Sequence, residues 1–126
     1  MSEINFSEKG IDDKLINISQ INRQFRAIAA AKDWQAYHTP KNLAAAIAVE
    51  SGELLAEFQW LTPTESQKLS IAKNRQVAHE VADVIMYLSE LCEQLGIDIA
   101  VAVQEKFEIN QQRFTKNSFI SNADAE

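Results

Sequence analysis

Residues 76–91, QVAHEVADVIMYLSEL, decide the architecture. From Val81 to Leu91 the only polar side chains are Asp83, Ser89 and Glu90, with Tyr87 amphipathic. No strand-like alternation runs through the stretch, so it reads as a helix over about Asn74 to Leu95. A helix apolar nearly all round is buried nearly all round. Gly96 stands where a C′ glycine would end it. A four-helix monomer of 126 residues would leave much of such a helix near its surface, so another subunit is expected to cover it. A homodimer or a homotetramer with symmetric interfaces is the expectation.

Working outward, Ile11, Leu15, Ile18, Ile21, Phe25 and Ile28 step by three and four, which marks a first helix from about Ile11 to Lys32. Residues 1–10 are polar and read as loose. Thr39 and Pro40 are a strong start signal, because Thr caps and Pro suits the first helical position. A second helix is expected from Pro40 to about Trp60, with Leu43, Ile47, Leu54, Phe58 and Leu61 on its apolar stripe. Thr62-Pro63-Thr64 breaks the pattern, and residues 64–75 read as a short helix or loop. Asp98 can cap a last helix that runs to about Arg113, and residues 115–126 read as a mobile polar tail. The fold class is all-α, a bundle of about four helices in one domain over residues 1–114.

The chemistry is set by acids in otherwise apolar helices. AIAVESGELLAEF (46–58) carries Glu50 and Glu53, and residues 76–91 carry Glu80 and Asp83. Residues i and i+3 project from one helical face, so each pair is a two-carboxylate claw. No Lys or Arg lies within four positions of either pair. Carboxylates among Val, Ile and Leu are costly to bury without something positive. Four of them on adjacent helices repel, so either some are protonated or a metal is bound. Glu57, at i+4 from Glu53, adds a third acid on its helix that wants a cation. A hard divalent ion takes oxygen ligands, and carboxylate-held Mg²⁺ usually shares its shell with phosphates. A di-iron bundle needs Glu-x-x-His motifs, and neither Glu50, Glu53 nor Glu80 has His three residues on. His79-Glu80 is not H-E-x-x-H, because position 83 is Asp.

Trp34, Tyr37 and His38 precede the second helix and Trp60 ends it. They read either as packing at helix junctions or as a platform for a nucleobase. The two Trp lie roughly 30 Å apart along such a helix, so they share a small pocket only if two chains pack antiparallel. Lys106, Asn110 and Arg113 fall on one face of the last helix, which is either a solvated face or a contact to phosphate or sugar.

The net charge of −6 lacks the basic stripe that duplex nucleic acid demands, so no nucleic-acid partner is expected. A hydrophobic share of 46% excludes wholesale disorder. Cys92 is the single cysteine and reads as a buried small hydrophobe, so no intrachain disulfide can form. With no signal peptide and no apolar run of membrane-spanning length, the chain reads as cytosolic and off the membrane.

Taken together, FRAIAAAKDWQAYHTPKNLAAAIAVESGELLAEFQW (25–60) and HEVADVIMYLSELCEQLGIDIAVAVQEKFEINQQRF (79–114) resemble the MazG-like nucleoside triphosphate pyrophosphohydrolases of the all-α NTP pyrophosphatase superfamily. The family signature is E-x-x-E, a spacer, then E-x-x-D; here 26 residues separate Glu53 from Glu80. DW…H-TPKNL, FQW, ADV…Y and K-x-x-x-N-x-x-R add to the match. Among subfamilies the chain looks most like the small single-domain dCTP pyrophosphatases and their bacterial relatives. The resemblance implies cleavage of a (d)NTP between its α and β phosphates, giving monophosphate and pyrophosphate, with Mg²⁺ as cofactor and Mn²⁺ as a substitute. It implies Glu50, Glu53, Glu80 and Asp83 as metal ligands, and Glu50 or Glu53 as the base that activates water. It implies Trp34 and Trp60 at the base, Tyr87, Lys106 and Asn110 near sugar and phosphates, and His38 and Phe25 among the substrate-binding residues. Phe25 stands where the mammalian enzymes of this type place a base-stacking His. Stacking survives that change and a polar contact does not, which weighs against a strict cytosine preference. The same chemistry on dUTP or phosphoribosyl-ATP, and a non-catalytic helical interaction module, are the competing readings.

Overall fold

Short polar side chains write the helix starts. In the computed structural model, which describes residues 15–123 (side chains through 116), Asn17 accepts the Gln20 amide at 3.0 Å and opens α1, Ile18–Ala31. Thr39 accepts the Asn42 amide at 3.3 Å and opens α2, Pro40–Ala56, with Pro40 in its first turn. Thr62 and Glu65 exchange bonds in a capping box around α3, Pro63–Ser66. The Ser70 hydroxyl takes the Lys73 amide at 3.1 Å where α4, Ile71–Leu95, begins. Asp98 takes the Val101 amide at 3.1 Å and opens α5, Ile99–Ala123. A short 3₁₀ turn, Gln35–Tyr37, sits between α1 and α2. The described residues are all-helical, with five α-helices and no strand.

Several boundaries differ from those read in the sequence. The loose stretch 1–10, the helix start near Ile11 and residues 124–126 of the tail fall outside the described residues. α1 begins only after Asn17, because that side chain caps the first turn. α2 ends at Ala56, short of Trp60, since Pro63 demands an extended Thr62 and the chain unwinds into a turn before it. α5 continues past Arg113 to Ala123; TKNSFISNA contains neither Gly nor Pro to stop it. Gly96 ends α4 with φ of +65°, the left-handed backbone that glycine adopts without strain.

Residues up to Leu95 form one compact unit and those from Gly96 onward a second. In the first, α2 packs along α4. Three cross-links show that the two run antiparallel. Glu57 pairs with Lys73 at one end (2.6 Å), Glu50 meets Glu80 and Asp83 in the middle, and His38 meets Gln94 at the other end. α1 packs on α4 as well, burying Phe25 and Ala29, while Leu43 of α2 is fully buried. α5 is exposed over its described length beyond Ile99. No helix among the described residues is long and apolar enough to cross a membrane.

Candidate active site

The antiparallel pairing of α2 and α4 brings the two acid pairs face to face. Glu50, Glu80 and Asp83 each offer an oxygen lying within 4.8 Å of the other two. Glu50 and Glu80 are half-buried, and one oxygen of each, Oε2, is shut away from solvent without a hydrogen-bond partner. Glu53 is exposed but close enough to act on both. Burial, then the neighbouring carboxyls of Glu53, Asp83 and Glu80, push Glu50 up to about 7. Burial and the charges of Glu53 and Asp83 likewise raise Glu80. Buried polar atoms are normally satisfied, so two unpartnered carboxylate oxygens among four acids leave a place that could hold a cation. An all-oxygen donor set fits a hard divalent ion such as Mg²⁺. Glu57 does not join this group; Lys73 neutralises it from across the hairpin.

A second cluster, of rings, abuts the acids. His38 stacks on Phe25 with centroids 5.5 Å apart and planes 9° from parallel. Tyr87 stands edge-on to both, 5.4 Å from Phe25 and 6.1 Å from His38. Trp34 lies tilted 6.3 Å from His38, and the Lys32 ammonium sits 5.0 Å over its ring. Tyr87 is one turn beyond Asp83 on α4. Its phenol is pushed up by burial and by the charges of Glu50, Asp83 and Glu53, so the two clusters share a border. Of the residues singled out in the sequence, Phe25, Trp34, His38 and Tyr87 therefore meet. Trp60 does not join them; it is 87% exposed beyond the far end of α2. Lys106 and Asn110 are exposed on α5, in the second unit.

One group escaped the sequence reading. Glu90 is buried in α4, and its Oε2 accepts from Asn22 Nδ2 and Arg26 Nε, both at 2.8 Å. Its Oε1 accepts from Arg26 Nη2 at 3.1 Å and Gln94 Nε2 at 2.9 Å. Burial works to raise Glu90, but the bonds from Arg26, Gln94 and Asn22 outweigh it and hold the carboxyl below its usual range. An acid inside an apolar helix was the available signal. Its partners stand on another helix, where local spacing cannot reach.

Comparison with known proteins places the chain in a family. The sequence profile of the MazG-like family matches residues 45–121. The chain is 35% identical over 99 residues to dCTP pyrophosphatase 1 of Homo sapiens and 34% identical over 99 residues to that of Mus musculus. Each alignment covers 77% of this chain and 58% of the relative, so the match spans little more than half of these proteins. A crystal structure of a pyrophosphatase from Archaeoglobus fulgidus DSM 4304 superposes with a TM-score of 0.71 at 35% identity, over 77% of this chain and 91% of that one. The family match spans more than half of the chain, and the chain belongs to the MazG-like family.

Proposed function

We propose that this chain hydrolyses (deoxy)nucleoside triphosphates between the α and β phosphates, releasing monophosphate and pyrophosphate, and so clears nucleotides from the cytoplasmic pool. The observation that carries the reading is the pair of orphaned oxygens on Glu50 and Glu80, set in a four-acid cluster that borders a wall of rings. The relatives named as pyrophosphatases support the reaction class.

Glu50, Glu80 and Asp83 would hold Mg²⁺, or Mn²⁺ in its place, with Glu53 beside them. Bound there, the metal would offset triphosphate charge and the charge that develops on the leaving pyrophosphate. Glu53, exposed at the edge of the triad, takes the proton as water adds to phosphorus and the anhydride P–O bond breaks. Phe25, His38, Tyr87 and Trp34 supply stacking surface for the base. Val49 and Leu55 on α2 and Val81 and Leu88 on α4 are exposed apolar side chains, and a second copy of the chain covers them in a homodimer or homotetramer.

The test is incubation with Mg²⁺ and each of the eight common (d)NTPs, with dUTP added, followed by product identification. Monophosphate plus pyrophosphate is expected. E53Q should keep its helicity and lose roughly a hundredfold or more in turnover, the usual worth of a general base. Pyrophosphate release undiminished in E53Q would remove Glu53 as the base that activates water.

A further inference from the structure

The Glu90 network belongs to neither cluster, yet it reaches the ring wall. Phe25 and Tyr87 come from the long helices α1 and α4, whereas His38 comes from the short segment between the 3₁₀ turn and α2. The hydrogen bonds of that segment run mostly to α1, to α2 or within itself: Trp34 N–H to the Ala29 carbonyl, Asn42 Nδ2 to the Tyr37 carbonyl, His38 N–H to the Gln35 carbonyl. The tie to α4 is Gln94, whose side-chain amide donates to the His38 carbonyl and, at 2.9 Å, to Glu90 Oε1. Glu90 is itself held by Asn22 and Arg26 of α1. A single amide group thus links the clamp between α1 and α4 to the backbone that carries the His38 ring.

We propose that Gln94, oriented by Glu90, is a positioning residue that fixes the His38 backbone and thereby pre-forms the aromatic wall that receives the base. This rests on the pyrophosphohydrolase reading above. A loop-borne ring held in place before binding spares the ligand the cost of ordering it. The acids lie further along α2 and α4, and their register is kept by helix packing and by the Glu57–Lys73 pair, which Gln94 does not touch. Gln94 therefore acts on nucleotide binding and not on the bond-breaking step.

Gln94 is exposed, and when it is replaced Glu90 keeps its three bonds from Asn22 and Arg26. Q94M keeps the length and removes the donor; Q94K keeps a donor able to serve both Glu90 and the His38 carbonyl. The experiment measures KM and kcat for the wild type, Q94M and Q94K on the best nucleotide of the panel. Loss of the bond to the His38 carbonyl, with the one to Glu90, should raise KM in Q94M roughly two- to tenfold with kcat unchanged, and Q94K should return KM to the wild-type value. An unmoved KM in Q94M, a parallel change of KM and kcat, or an equal rise in both variants would overturn the assignment alone, because wild-type turnover would still stand. Absence of pyrophosphate release by the wild type would sink the functional reading, and this inference with it.

Discussion

Glu50 concentrates the electrostatic tension of the protein in one side chain. Its native carboxyl is pushed up to about 7 by burial and by its acidic neighbours. The folded, metal-free protein therefore keeps a proton that the unfolded chain, with a carboxyl near its ordinary value, has already released. The sign follows from linkage: between the ordinary carboxylate range and about pH 7, the native state binds more protons, so stability falls as pH rises. Melting curves of the metal-free protein should show Tm declining across that window. E50Q should flatten the decline. Mg²⁺ must compete with the same proton, so its affinity, read by calorimetry, should strengthen as pH climbs toward and past 7. A pH-independent affinity, or a decline in Tm as steep in E50Q as in the wild type, would show that Glu50 is not the group that titrates.

Among the elements, α1 and α4 are joined at the buried Glu90 by three hydrogen bonds from Asn22 and Arg26, with a fourth from Gln94 of α4 itself. R26A removes two of those bonds and leaves the carboxylate under-satisfied, which should cost about 1–3 kcal/mol of unfolding free energy near neutral pH. Because Glu90 is held below its usual range, this contribution is present above that range and is lost as pH falls through it. The R26A penalty, read from denaturant curves, should accordingly shrink in acid; a penalty equal at pH 7 and in acid would separate Arg26 from the Glu90 charge. The same helices show what was legible beforehand. Thr39-Pro40 and Gly96 announce a start and a stop through chemistry local to a few residues, and both hold in the structure. The acid pairs were legible because three-residue spacing on a helix is a purely local geometry. The partners of Glu90 and Glu57 were not, since Arg26 and Lys73 meet them only after helices pack. The start of α1 was misplaced because apolar spacing is blind to a cap such as Asn17, and the end of α5 because nothing in 114–123 signals a stop.

Across the described residues, few apolar side chains are buried in the single chain: Phe25, Ala29 and Leu43. Leu55 is 67% exposed and Val49 60% exposed on α2. The homo-oligomer proposed above would cover such side chains. Sedimentation of the wild type should give a multiple of 14.2 kDa, and L55E should shift the mass toward that of one chain. A wild type that sediments at 14.2 kDa would remove the expected assembly.

The connection between α2 and α4, residues 57–70, carries its own turn of helix, a capping box at Thr62 and Glu65, and the Ser66 hydroxyl bonded to the Pro63 carbonyl. A short link that is already ordered makes closure of this hairpin cheap in chain entropy. The hairpin should thus form early in folding, and it also brings two pairs of like charges together, so their repulsion should slow that step. Stopped-flow refolding should therefore quicken when millimolar Mg²⁺ is in the buffer, so that the ion proposed for the native site also helps the chain find its shape; a refolding rate unmoved by Mg²⁺ would count against it.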